Sequence, residues 1–391
     1  MDFVFGLIDS ILKDRHEEDL IDRVNYQYTP IVMAACASVL FAKVYLGLSI
    51  QCFTKAQFKG SWNAYTQDYC LIENTYYIPQ ETSIPTAARR SEAQIAYYQW
   101  TGFILAGLAV FFIVPHVIWR SFNWISGYHI RPIITECLEA HNDSKKRKAV
   151  VEKTARILDE ANRLDHSYFH IFPRNTVVTV LYIFMKILNI AVVIVELTVL
   201  SIFLGSFTYP FQVLRYDLGD WQSSGLFPRV TLCDIDIRVP GQFQKYTMEC
   251  TLPLNMLNEK IFVFLFFYLL SLAFFTVFNV LYWIVLIFWT SPFFKQLSKC
   301  RDYDRGADSQ EKMPFLDESD DSSFDPIAEF TQDVPGSDLT VVLHLLAKRV
   351  GFYFTSEVLY KMVKIDSDER MKRQADDSSK KRKSNIYEET S

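Results

Sequence analysis

The chain is short of glycine, with only 13 in 391 residues, which argues against nucleotide-binding folds built on Gly-rich turns. It also lacks C-x-x-C, H-E-x-x-H, G-x-x-x-x-G-K-[ST] and G-x-S-x-G, so the residue sets for dithiol redox, zinc-protease, phosphate-loop and serine-hydrolase chemistry are missing. His166 and His170 in "DHSYFH" stand one helical turn apart, but with no third histidine or nearby cysteine they do not read as a metal site. No catalytic residue, metal or cofactor is therefore expected, and the chain reads as a non-enzyme. The opening "MDFVFGLIDSILKDRHEEDL" has no basic leader region, and Asp2 and Asp9 interrupt its apolar positions. It is not a signal peptide, which leaves targeting to the first apolar span.

Charge is the most informative scarcity. The formal net charge is −5, yet long windows carry almost no charge while others are dense in it. A hydrocarbon core of ~30 Å takes roughly 20 helical residues to cross, and four windows qualify: Pro30–Ile50, Phe103–Trp119, Val177–Gly205 and Ile261–Trp289. The fourth outruns the hydrocarbon and should tilt or protrude. Basic residues set the sidedness. Residues 120–176, between the second and third spans, hold Arg120, Arg131, Lys145, Lys146, Arg147, Lys148, Lys153, Arg156, Arg163 and Arg174, more than either neighbouring loop. That loop is read as cytoplasmic, with both termini inside and the loops 51–102 and 206–260 outside. The sequon Asn142-Asp143-Ser144 then falls on the cytoplasmic side, where it goes unused.

Apolar residues recur at helical spacing between Lys148 and Leu164 and again across 338–364, which predicts a helical cytoplasmic layer. Residues 1–29 form a cytoplasmic N-terminal helix and linker, and 290–391 a cytoplasmic C-terminal region. Within it, the acidic stretch 301–337 reads as disordered and the end of the chain as a solvated tail. The basic "SKKRK" at Ser379 to Lys383 fits that tail rather than a nuclear signal, and no nucleic-acid partner is expected. The fold expected is an all-α membrane protein with four transmembrane helices.

On this topology Cys52 and Cys70 lie in one outer loop and Cys233 and Cys250 in the other, while Cys36, Cys137 and Cys300 do not face outward. Two cysteines per outer loop fit two disulfides in an oxidising space. Four cysteines allow three pairings, which spacing alone leaves open.

Four stretches resemble the innexins, the gap-junction proteins of invertebrates. They are "YYQW" at Tyr97, Tyr98, Gln99 and Trp100, Pro115 followed by Trp119, "FPRVTLCD" at Phe227 to Asp234, and "NMLNEKIFVFLFF" at Asn255 to Phe267. The two cysteine pairs match as well, and the similarity runs from about Asp22 to Trp289. One departure is Thr101-Gly102, where innexins usually have Val-Pro. The resemblance implies a homo-oligomeric hemichannel, usually octameric, in membrane lipid, with an aqueous pore for ions and small metabolites. Such a hemichannel docks with that of an opposing cell, and other innexin subunits are possible partners. It further implies bridges from Cys52 to Cys250 and from Cys70 to Cys233.

The N-terminal stripe Val4, Leu7, Ile8, Ile11 and Leu12 suits a pore funnel or a helix lying on the membrane equally well. The resemblance selects the funnel, with Met1, Asp2, Phe3 and Asp9 as candidate pore-lining residues. Tyr97, Tyr98 and Trp100 read as aromatic anchors where the second span enters the membrane, and Trp119-Arg120 mark its exit. Pro115 should bend that span, as a gating kink or as fixed geometry. Lys186 and Glu196 lie about 80° apart on the helix, so they are not an obvious pair, and a structural role is favoured for both. The alternatives to a junctional channel are a non-junctional hemichannel and a pore-less four-span adhesion or scaffold protein. Tetraspanin Cys-Cys-Gly and claudin Trp-Leu-Trp signatures are absent.

Overall fold

The computed structural model describes residues 18–47, 49–56, 58–79, 90, 94–123, 128–140, 143–163, 176–215, 225–305 and 337–389. The expected pore-lining residues Met1, Asp2, Phe3 and Asp9 lie outside them, as do Asn142, His166, His170 and positions 306–336 of the acidic stretch. Four helices are long and apolar enough to cross a membrane: Leu20–Leu46, Tyr97–Phe122, Val177–Phe203 and Pro253–Phe288.

Three of the four begin or end well beyond their apolar windows, because backbone hydrogen bonding continues into polar sequence. The fourth starts on Pro253, at a position where a helix has no use for the missing N–H. At about 1.5 Å per residue it is roughly 54 Å long, well beyond the hydrocarbon. In the first span, a π-helical segment, Val24–Tyr28, precedes Pro30. Proline cannot donate to the preceding turn, and the Thr29 hydroxyl instead donates to the Val24 carbonyl at 2.8 Å. The second span is interrupted between Tyr97–Phe111 and Val114–Phe122, just ahead of Pro115. Ile113 there donates to the Val110 carbonyl at 3.0 Å, a tightened turn where the α-helical pattern fails.

The chain divides into two compact units. One comprises Met1–Arg23, His116–Ile187 and Phe278–Ser391, the other Val24–Pro115 and Leu188–Val277. The first is helical, packing Ile130–Ala140, Ser144–Arg163 and Ser337–Val350 around Leu158, Tyr182, Trp283, Leu343 and Phe354. The helix expected over 338–364 is two helices, Ser337–Val350 and Phe352–Glu389. They meet at Gly351, whose φ of +111° belongs to glycine. The segment read as a solvated tail continues as helix to Glu389.

The second unit adds to the helical body a small antiparallel sheet that periodicity did not reveal. Strands β1 (Gln51–Cys52), β2 (Thr75–Tyr76), β3 (Gln94–Ile95), β4 (Val230–Val239) and β5 (Gln242–Thr251) run in the order β1-β5-β4-β2-β3. The β4–β5 hairpin turns at Pro240-Gly241, with Gly241 at φ +88° and Val239 opposite Gln242. In β4, Thr231, Cys233 and Ile235 are buried and alternate with more exposed neighbours, the period-2 pattern of a half-buried strand. The helix Gly60–Glu73 lies in the loop between β1 and β2 and carries Cys70.

Candidate functional site

The four loop cysteines converge in the second unit. Cys52 is bonded to Cys250 and Cys70 to Cys233. Cys52 lies directly opposite Cys250 in the β1–β5 ladder, and the second bridge ties the helix Gly60–Glu73 to β4. Ile50, Leu252 and the four half-cystines make one apolar cluster. Asp234 anchors the adjoining strands by accepting from the Tyr76 hydroxyl at 3.0 Å, the Thr247 hydroxyl at 2.7 Å and Arg90 at 2.6 Å.

The YYQW segment is part of this construction. Gln99 Nε2 donates to the carbonyls of Leu71 at 2.6 Å and Ile72 at 3.2 Å, and to Asn74 Oδ1 at 3.1 Å. Those carbonyls belong to the last turn of Gly60–Glu73, where a helix leaves its acceptors unpaired. Tyr98 is buried, its hydroxyl 3.3 Å from the same Leu71 carbonyl. Tyr97 stacks edgewise on Phe227, centroids 5.7 Å apart. Only Trp100, 61% exposed, has the placement of an interfacial anchor. Reading the whole knot as anchors is thus corrected: Tyr98 is buried, with the Leu71 carbonyl as its acceptor, and Tyr97 is partly buried by packing on Phe227. Trp119, expected to mark the membrane exit, is likewise fully buried and packs on Tyr182 at 5.1 Å.

The stretches around Phe227 and Asn255 meet in the same unit. Asn255 Nδ2 donates to the Pro228 carbonyl at 2.8 Å, and Arg229 lies 3.4 Å from Glu259. Glu259 also accepts from Tyr209 at 3.3 Å, and burial together with this carboxylate pushes the Tyr209 hydroxyl up.

In the first unit the residues at the start of the first span helix enter a connected polar chain. The Lys186 ammonium donates to Asp22 Oδ1 at 2.9 Å, Asp22 Oδ2 at 2.7 Å and Asn279 Oδ1 at 2.6 Å, using all three of its protons. Tyr182 Oη also donates to Asp22, at 2.9 Å. Asn279 Nδ2 passes the chain to Asp19 Oδ2 at 2.7 Å, which further accepts from Trp283 Nε1 and Lys348 Nζ, each at 3.1 Å. Burial alone would raise the Asp19 carboxyl; Lys348, Lys186 and the bonds from Asn279 and Trp283 instead hold it well below the usual carboxylate range. Glu18 Oε1 lies 2.8 Å from His116 Nδ1, and Arg349 donates to the Glu18 carbonyl. Next to Lys348, His344 is pushed down to about 4 by burial and by that cation. Its Nε2 lies 3.1 Å from the Tyr282 hydroxyl, and its buried Nδ1 has no hydrogen-bond partner among the described residues.

The innexin family model matches residues 18–365, nearly the whole chain. The chain belongs to the innexin family. Innexin unc-9 of Caenorhabditis elegans is 37% identical over 286 residues, covering 68% of this chain and 74% of the relative. Innexin-19 of Caenorhabditis briggsae is 31% identical over 373 residues, covering 89% and 82%, and innexin eat-5 of Caenorhabditis elegans is 30% identical over 329 residues, covering 80% and 78%. With its four apolar helices and two disulfides, this innexin is a multi-pass membrane protein and a gap-junction channel subunit of a channel-forming, non-enzymatic family.

The structure answers the question of the two intramembrane charges in this innexin separately. Lys186 pairs with Asp22, a residue outside the window first taken as span one. Glu196 is fully buried, and neither of its carboxylate oxygens has a hydrogen-bond partner among the described residues. Sequence reasoning missed Asp19, Asp22 and Lys348. The available signal was the need of an intramembrane lysine for a counter-charge, combined with two acidic residues three apart at the head of an apolar run.

Proposed function

We propose that this innexin assembles with copies of itself into an octameric hemichannel in the plasma membrane, its exposed span faces meeting lipid and neighbouring subunits. Both termini lie in the cytoplasm, and the loops 51–102 and 206–260 face out and dock on a hemichannel of the opposing cell. Ions and small metabolites diffuse through the aqueous pore. Met1, Asp2, Phe3 and Asp9 line its cytoplasmic funnel, the break before Pro115 serves as a gating kink, and other innexin subunits can co-assemble.

One observation carries this reading: the sheet braced by two disulfides. Docking two hemichannels needs a surface that keeps its shape without a partner, since ordering loops on contact opposes association. Here the bridges close loops of 198 and 163 residues, for which chain-entropy arguments give about 5 kcal/mol each. The test is junctional conductance in cell pairs expressing this chain alone and then with other innexins. Conductance is expected between pairs, and its abolition when Cys70 and Cys233 are both changed to Ser. Current only across unpaired membrane would favour a non-junctional hemichannel. No current in any configuration, with the protein at the surface, would refute the channel reading.

A further inference from the structure

The two disulfides lie side by side, close enough for a thiolate released from one to meet a sulfur of the other. The Sγ atoms of Cys52, Cys70 and Cys250 all lie within 4.8 Å of one another, so sulfurs of both bridges share one cluster. Their access differs sharply. Cys70, Cys233 and Cys250 are buried, whereas Cys52 is partly exposed on β1, a two-residue strand at the edge of the sheet. Cys52 is therefore the half-cystine of the four that faces solvent in part, and the one at which a thiol would enter. Exchange proceeds by thiolate attack on one sulfur with departure of the other, so which sulfur is reachable decides which cysteine is released.

We propose that the cluster is a thiol-exchange site at which a small extracellular thiol, entering at Cys52, opens the second, buried bridge by relay. In the first step the incoming thiolate bonds to Cys52 Sγ, the Cys52–Cys250 bond breaks, and Cys250 leaves as a thiolate. In the second, Cys250 Sγ bonds to its neighbour Cys70 Sγ, the Cys70–Cys233 bond breaks, and Cys233 leaves as a thiolate that takes a proton from water. The Cys52–Cys250 bond is replaced by a mixed disulfide of Cys52 with the small thiol and the Cys70–Cys233 bond by Cys70–Cys250, so the number of disulfides is unchanged and electrons and atoms balance. The helix Gly60–Glu73 is thereby detached from β4 and attached to β5. The inference stands whether or not the chain forms junctions.

The experiment uses the full chain in detergent, treated with reduced glutathione at pH 8, quenched in acid with N-ethylmaleimide and mapped by peptic digestion and mass spectrometry. Expected products are Cys52 carrying glutathione, a Cys70–Cys250 peptide, and Cys233 labelled by maleimide. In the Cys52→Ser/Cys250→Ser variant the Cys70–Cys233 bridge remains but has lost its relay, and labelling of Cys233 should fall at least tenfold. Equal labelling of Cys233 in the two proteins would overturn the relay, as would wild-type protein in which Cys52 and Cys250 react while Cys70–Cys233 stays intact. Should the double variant fail to fold, the presence or absence of the Cys70–Cys250 peptide in wild type decides alone.

Discussion

Replacing Lys186 by Met should be among the most damaging single changes in the polar interior. Both members of the Lys186–Asp22 pair are within 2% of full burial, and the ammonium uses all its protons on Asp22 and Asn279. In the variant, among the described residues Asp22 keeps the Tyr182 hydroxyl alone and Asn279 Oδ1 loses its Lys186 donor. Removing one partner of a buried ion pair costs about 3–5 kcal/mol, chiefly because the other charge stays buried. An ordinary polar contact between membrane helices averages only about 0.6 kcal/mol. The first figure applies if Asp22 cannot reach water, the second if it can. With Asp22 buried, we expect Lys186→Met to shift the unfolding equilibrium by roughly two to four powers of ten, and Lys186→Met/Asp22→Asn to recover at least half of that loss. The assay is equilibrium unfolding in mixed maltoside–SDS micelles followed by tryptophan fluorescence, with Trp283 as a reporter inside the chain. A loss below about 1 kcal/mol, or a double variant as unstable as the two singles added together, would refute the reasoning.

Acidification should loosen the first unit through His344. Its folded value of about 4 lies below the ordinary 6.5, so its contribution is complete above pH 6.5 and declines as pH falls toward 4, by about 3 kcal/mol at most. Asp19, held low, adds its own loss only at still lower pH, below its unfolded value of 3.8. Protease protection of Ser337–Val350 between pH 7 and 4.5 measures the effect, and it should flatten in His344→Phe. Gln99→Ala removes the donor to the last turn of Gly60–Glu73 and should cost about 1–3 kcal/mol. Trp100→Ala should cost less, and detergent unfolding that ranks the two the other way would refute the capping role. Gly351→Ala places a Cβ at φ +111°, with about 1–2 kcal/mol of backbone strain expected in the same assay; an unchanged midpoint would show that the helix break does not need glycine.

Much of this protein is written in one-dimensional patterns. The four spans follow from long apolar runs nearly free of charge, because unpaired charge is costly in hydrocarbon and only a helix satisfies its own backbone there. The break in the second span follows from Pro115, whose effect is local. The cysteine pairs were legible as a set, and their connectivity only through resemblance, since spacing treats the three pairings alike.

What only the tertiary structure decided involves partners distant in sequence. Lys186 finds Asp22 across 164 positions, and Asp19 finds Lys348 across 329; no periodicity encodes which acid meets which base. The short strands β1, β2 and β3, each two residues long, carry no repeat that a window could detect; β1 exists because β5 offers it a ladder partner, β2 because β4 does, and β3 pairs on β2. The YYQW knot shows the division within four residues: their aromatic character was readable as membrane anchoring, but the carbonyls of Leu71 and Ile72 draw Gln99 inward and leave Trp100 alone exposed. Sequence determined which segments had to leave water, through the cost of burying charge and unpaired backbone; the fold determined which polar groups went with them, because each needed a partner that only long-range contact supplies.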